Sequence, residues 1–261
     1  MSSSVYSQLK VINGGAPGEN RTHNHPLRRR VLYPIELRGQ RGVILTLLGG
    51  LRFMSQLFVV HPDNPQPRLL KQAAQLLQNG GLVAIPTDSS YAVVARLDDR
   101  AAAEALRKLR GLDERHHLTV LCRDMTAISQ FARVDNAQFR LLKQATPGPW
   151  TFILEASREV PRRVSHPSRK TIGIRVPGHP VTLAFLEMVD APLLSTTLIP
   201  EGEELPLNDP EDIRTRFQHA LAAVIDAGAC PFEPTTVIDL TGPSPELIRR
   251  GRGDPAVLGI S

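Results

Sequence analysis

Cysteine is scarce in this chain: Cys122 and Cys230 are the only two among 261 residues. That count excludes a disulfide framework and a cysteine-based zinc site, and it fits a reducing, cytoplasmic compartment. Long apolar runs are missing as well. The longest near the start, GVILTLLGGL at 42–51, falls short of the roughly 18 residues that would cross a bilayer, so no membrane partner is expected. Aromatic residues make up 5% of the chain, with a single tryptophan. Apolar residues at 41% and charged residues at 22% are ordinary values for a globular protein.

An excess of one charge sign is missing from most of the chain. Residues 1–53 hold eight Lys/Arg against two acids, a net of +6, whereas the other 208 hold 23 against 24, a net of −1. The basic balance therefore belongs to the first segment, and the remainder gives no global-charge argument for nucleic acid. The first segment is rich in Gly, Arg, Asn and Pro and has no helical or strand period, as in NGGAPGENRTHNHPLRRR. It reads as a disordered basic segment. GENRTHNHPLRRRVLYPIELRG resembles spurious translation of non-coding DNA, and Met54 opens a stretch that looks like a natural start. The expectation is a mis-assigned start at 1–53 and one domain at 54–261.

From Met54 the pattern becomes regular. Short apolar runs predict strands at 56–62, 81–87, 91–97, 118–122, 150–156, 171–177, 191–197, 221–228, 235–241 and 246–251. Helical spacing predicts helices at 67–78, 98–110, 126–131, 136–144, 179–189 and 209–217. Strands and helices alternate without strict repetition, which implies an α/β fold around one twisted sheet of parallel and antiparallel strands.

Several stretches could carry chemistry. PTDSSY at 86–91 follows a buried strand and offers the hydroxyls of Thr87, Ser89, Ser90 and Tyr91, although an Asx-capped turn would read the same way. Lys108 and Arg110 close a helix, where cations suit either a phosphate or the helix dipole. His116-His117 has no companion at metal-ligand spacing, so no resident metal is expected. TPGPWTFIL brings Thr151 to the start of a strand, and Arg175 interrupts the apolar TIGIRVP, where a buried charge needs a partner or a bound anion. LLSTT carries Ser195 and Thr197 at a strand end. PTTVIDL carries Thr236, and LIRRGRGD sets Arg249, Arg250 and Arg252 around two glycines.

In this order, from PTDSSY through K-x-R, LTVLC, PGPWTFIL, IGIRVPGHP, LLST and TTVIDLT to the late arginine, the chain resembles the YrdC-like domain family over about residues 54–258. It is identified as a member of the YciO branch on MSQLFVVHPDNPQPRLL, VDNAQFRLLKQATPG, RKTIGIRVP and PTTVIDL. The resemblance implies a single YrdC-like domain with an open basic cavity. It implies L-threonylcarbamoyladenylate synthase-like nucleotidyl transfer, in which L-threonine and bicarbonate form a carbamate that attacks the α-phosphate of ATP, with Mg2+, in the service of tRNA modification. Under that resemblance Lys108 and Arg110 face the phosphates and the carbamate. Thr87 and Tyr91 line the amino-acid side, Thr151 and Thr236 the nucleotide side, and Arg175 meets the threonine carboxylate. Ser195 and Thr197 fall in the family's Ser-Thr-Ser, and Arg249 is a late phosphate arginine. The alternative it implies is a double-stranded RNA-binding protein without synthase activity. One departure weakens the activity implied. Ile199 stands where the synthases carry asparagine, and its side chain has no hydrogen-bonding atom.

Overall fold

The structure is a computed structural model that describes residues 54–260, apart from 114, 115, 117, 163, 165–167 and 169. The expectations for residues 1–53 lie outside the described residues, and so does His117. Among the described residues eleven strands form one sheet: β1 (Gln56–Val59), β2 (Val83–Ile85), β3 (Ala92–Arg96), β4 (Thr119–Leu121), β5 (Ala132–Arg133), β6 (Trp150–Ala156), β7 (Thr171–Arg175), β8 (Leu193–Thr197), β9 (Ala223–Asp226), β10 (Thr236–Asp239) and β11 (Glu246–Arg249). Their order is β1-β9-β2-β3-β8-β4-β7-β6-β10-β11, with β5 on the edge of β6. Parallel pairs (β1 with β9, β9 with β2, β4 with β7, β6 with β10) mix with antiparallel ones, so this is the mixed sheet that the alternating pattern implied.

The helices are α1 (Pro67–Gln78), α2 (Arg100–Leu109), α3 (Met125–Phe131), α4 (Asn136–Ala145), α5 (Pro180–Val189) and α6 (Pro210–Arg216). Their starts follow from local chemistry. Asp99, Asp124, Asp135 and Asp209 each accept a backbone N–H of the first turn, and Pro67, Pro180 and Pro210 sit where a missing N–H costs nothing. Gly80 ends α1 with φ at 88°, a left-handed conformation that few other residues adopt cheaply.

Side chains alternate across each strand, so the sheet buries two different faces. On one, Ala84, Val93, Val120, Leu194, Phe152 and Ile174 pack with Leu106 of α2, Ile128 of α3 and Leu142 of α4. On the other, Val83, Ile85, Ala92, Val94, Leu121 and Leu193 pack under α1 and α5 through Leu70, Leu77, Val181 and Phe185. These two helices cover only part of that second face. Beyond Leu121 and Leu193 the same face continues through Thr119, Ser195 and Thr197, and there a cavity opens.

Candidate functional site

The cavity measures about 340 Å³, within the range of a small-ligand site. Strand register explains its floor. Thr119 of β4 stands between Ser195 of β8 and Gly173 of β7, and Gly173 pairs onward with Ile153 of β6. Thr197 lies opposite Ala92 on one side. Thr151 pairs with Val237, and Val237 with Arg249, on the other. Ser90, His116, Thr235 and Ile248 complete the walls with Thr196 and Arg175. Seven of the fifteen lining residues carry hydroxyls and two are arginines, and among the described lining residues none is acidic.

The hydroxyls divide into two sets. Thr87, Thr151, Thr235 and Thr236 are occupied within the protein. Thr87 donates to the carbonyl of Ser90 (2.6 Å) and accepts the N–H groups of Ser89 and Ser90, closing the PTDSS loop on itself. Thr151 and Thr235 bond each other at 2.9 Å. Thr236 donates to the carbonyl of Gly253 (2.5 Å) and accepts from the N–H of Gly251 (2.9 Å). In contrast, among the described residues the side-chain hydroxyls of Ser90, Thr119, Ser195, Thr196 and Thr197 form no hydrogen bond with the protein. They are the donors and acceptors left for a ligand.

The charges are held with equal economy. Arg175 is buried and donates to Asp88 and, at 3.3 Å, to Thr87 Oγ1. Asp88 also accepts the N–H of Gly178 (2.9 Å), and Thr182 of α5 donates to the carbonyl of Pro86, so the whole loop is clamped. Burial pulls the Arg175 guanidinium below its usual value, and Asp88 opposes that. Its Nε is sealed from solvent and from the cavity and has no partner. Arg249, exposed at the rim, donates to the carbonyl and hydroxyl oxygens of Thr235. Arg110 caps α2 and donates to the main-chain carbonyl of Ile199, just past β8. Partial burial, then Arg110 and Arg107, push the His116 imidazole below its ordinary value.

Of the ten residues to which the family resemblance gives a role, the structure brings five to this cavity, Thr151, Arg175, Ser195, Thr197 and Arg249, and Ser90 and His116 join them. The other five stand elsewhere. Thr87 lies behind the wall, and Arg110 is tied to the 199 carbonyl. Lys108 is exposed on α2. Tyr91 is wholly buried and donates to the carbonyl of Gly228 (2.9 Å), where burial raises its pKa. Thr236 faces the core because strand alternation gives the cavity to its neighbours Thr235 and Val237. The two glycines of LIRRGRGD answer to packing. A Cβ at 251 would sit 2.3 Å from the carbonyl of Pro234, and one at 253 would sit 2.8 Å from the ring of Trp150. Thr119, Gly173 and Thr235 carry no conspicuous sequence signal. Only register between non-adjacent strands places them here.

Comparison with known proteins bears on most of the chain. The sequence model of the Sua5/YciO/YrdC family, described as telomere recombination, matches residues 75–251. An Escherichia coli (strain K12) protein called YciO and described as uncharacterized is 45% identical over 201 residues, which is 77% of this chain and 98% of that one. The crystal structure of E. coli YciO superposes with a TM-score of 0.76 and 44% identity over 78% of this chain and all of that one. A threonylcarbamoyl-AMP synthase of Halorhodospira halophila is 29% identical over 72% of this chain and 98% of its own. The crystal structure of Pyrococcus abyssi Sua5 complexed with L-threonine shares the fold, with a TM-score of 0.73 and 24% identity over 79% of this chain and 63% of that one.

Proposed function

The chain belongs to the Sua5/YciO/YrdC family, and on that premise we propose that its cavity binds a phosphate-bearing nucleotide ligand and supports threonylcarbamoyl-AMP synthase-like chemistry at a reduced rate. One observation carries the reading. Five hydroxyls without protein partners among the described residues, those of Ser90, Thr119, Ser195, Thr196 and Thr197, converge on one cavity beside the rim guanidinium of Arg249. Such a set orients a polar ligand, and the rim cation meets its phosphate.

In the reaction, the amine of L-threonine forms a bond to the carbon of bicarbonate as a C–O bond breaks and water leaves, giving a carbamate. Its oxygen forms a bond to the α-phosphorus of ATP as the bond to the departing pyrophosphate breaks. This is transfer chemistry in which positioning and charge placement dominate. The complex of P. abyssi Sua5 with L-threonine supports threonine as one substrate. Among the described residues no cluster of three metal-ligating side chains occurs, and Asp88 is engaged by Arg175 and Gly178. In this reading magnesium arrives on the nucleotide's own phosphates, as part of the substrate. The product feeds tRNA modification.

The reduced rate follows from Ile199. Loss of one hydrogen-bonding side chain costs about 1–3 kcal/mol, or roughly 5- to 150-fold. Calorimetry with ATP and with L-threonine on the full chain, alongside pyrophosphate release with ATP, Mg2+, bicarbonate and L-threonine, tests the reading. Binding with slow release that falls further in Arg249→Ala is the expected result. Absence of binding by both ligands overturns it. Ile199→Asn should raise the rate. It is best made alone, because the adjacent Leu198 is fully buried in the core.

A further inference from the structure

The centre of the cavity floor holds a residue with no assigned role, Thr119. It begins the central strand β4, flanked by Ser195 on one side and Gly173 on the other. Two positions along the same strand and face, Leu121 is buried under helices. Thr119 instead points an unbonded hydroxyl into open space. An independent feature lies beside it. Glycine within a strand interior weakens the sheet and marks a place where something approaches the backbone closely. A Cβ at Gly173 would sit 3.1 Å from Thr119 Oγ1, tighter than ordinary contact, and would intrude on the hydroxyl. The backbone at 173 needs no positive φ, so conformation does not require glycine there. Clearance in front of Thr119 does.

The chemistry of this floor is neutral. Arg175, two residues beyond Gly173 on the same face, is engaged by Asp88, and its free Nε is closed off from the cavity. An anion placed against Thr119 would meet a guanidinium whose charge Asp88 already offsets, whereas Arg249 at the rim has no acidic partner among the described residues. We propose that Thr119 is a specificity-determining residue that hydrogen-bonds a neutral hydroxyl of the ligand over the gap left by Gly173, with the ligand's charged end directed to the rim. The proposal rests on the ligand reading above. The hydroxyl has two possible sources, the ribose of a nucleotide or the side chain of a hydroxy-amino acid.

Calorimetry on the full chain distinguishes them with two ligand pairs, AMP against 2′,3′-dideoxy-AMP and L-threonine against L-2-aminobutyrate. Wild type should prefer the hydroxyl-bearing member of one pair by about 5- to 150-fold. Thr119→Val, which keeps the shape and loses the hydroxyl, should bind both members equally. Thr119→Ser should restore the preference, an outcome that a purely structural role would not produce. Gly173→Ala should weaken both members of the pair by crowding the floor. A preference that persists in Thr119→Val, or a wild type that binds without preference in either pair, overturns the assignment of Thr119 and leaves the nucleotide reading standing. A wild type that binds none of the four overturns both.

Discussion

Two halves of one sheet face differ by a few residues and little else. In the covered half, Leu121 and Leu193 lie beneath α1 and α5 with Val83, Ile85 and Val94. In the open half, two positions further along the same strands, the side chains are Thr119 and Ser195. The backbone ladder runs through both without interruption. Helix coverage sets the residue type: where α1 and α5 lie on the sheet the positions are branched and apolar, and where they stop the positions carry hydroxyls. A pocket in this fold is thus a sheet face that no helix covers, and its edge can be read from the change of side chain along a strand.

The largest test of that contrast sits at its boundary. Replacing the buried Arg175 with alanine leaves the partly buried Asp88 without its counter-charge and should cost about 3–5 kcal/mol of stability by denaturant unfolding. Adding Asp88→Asn should recover part of that loss. In the covered half, Leu193→Ala should cost about 2–5 kcal/mol, because the site is fully enclosed and collapses poorly. Tyr91→Phe should cost about 1 kcal/mol by removing the bond to Gly228, with ligand affinity unchanged, since the phenol serves the core. In the open half, Ser195→Ala should change stability by less than about 0.5 kcal/mol while lowering ligand affinity measurably. If Leu193→Ala and Ser195→Ala destabilised the protein equally, the division of the face would fail.

The smallest effect is in pH. His179, half-buried with its Nδ1 lacking a partner, is held below the usual imidazole range by burial, with a smaller contribution from Arg175. Its unfolded counterpart titrates near 6.5. Between the two values the unfolded chain binds more protons, so stability rises with pH in that window. The contribution is complete above about 6.5 and is lost as pH falls through and below that value. Melting temperatures from pH 8 to 5 should show the decline, and His179→Gln should lessen it, the remainder belonging to His116, whose imidazole is also held low by burial.

Much of this architecture is legible in the chain, because each strand and helix announces itself locally. Helical spacing predicts α1, α2 and α6, although not their caps. Edges shifted where caps, not apolar content, decide: α2 begins at Arg100 because Asp99 is its cap. The site was legible only in part. Ser195 and Thr197 stand out as hydroxyls ending an apolar run. Thr119 is one polar residue in a short strand, and threonine is common in strands for packing reasons alone. Its use depends on Ser195 and Gly173, which lie more than 50 residues away in sequence. The choice of Thr236 over Thr235 turned on a one-residue phase of alternation that the doubled threonine conceals. Arg175 announced the need for a partner, but Asp88 is far off in sequence and reads as a turn residue.

The bond from Arg110 to the 199 carbonyl joins unlike things, a side chain and a main chain. A peptide oxygen is supplied by every amino acid. Position 199 can therefore exchange its side chain freely without loosening this anchor, while position 110 has no such latitude. Saturation mutagenesis of the two sites should return opposite profiles, permissive at one end of a single hydrogen bond and narrow at the other. The same asymmetry means that side-chain chemistry at 199 can be altered to tune the site while the chain path that carries it stays in place.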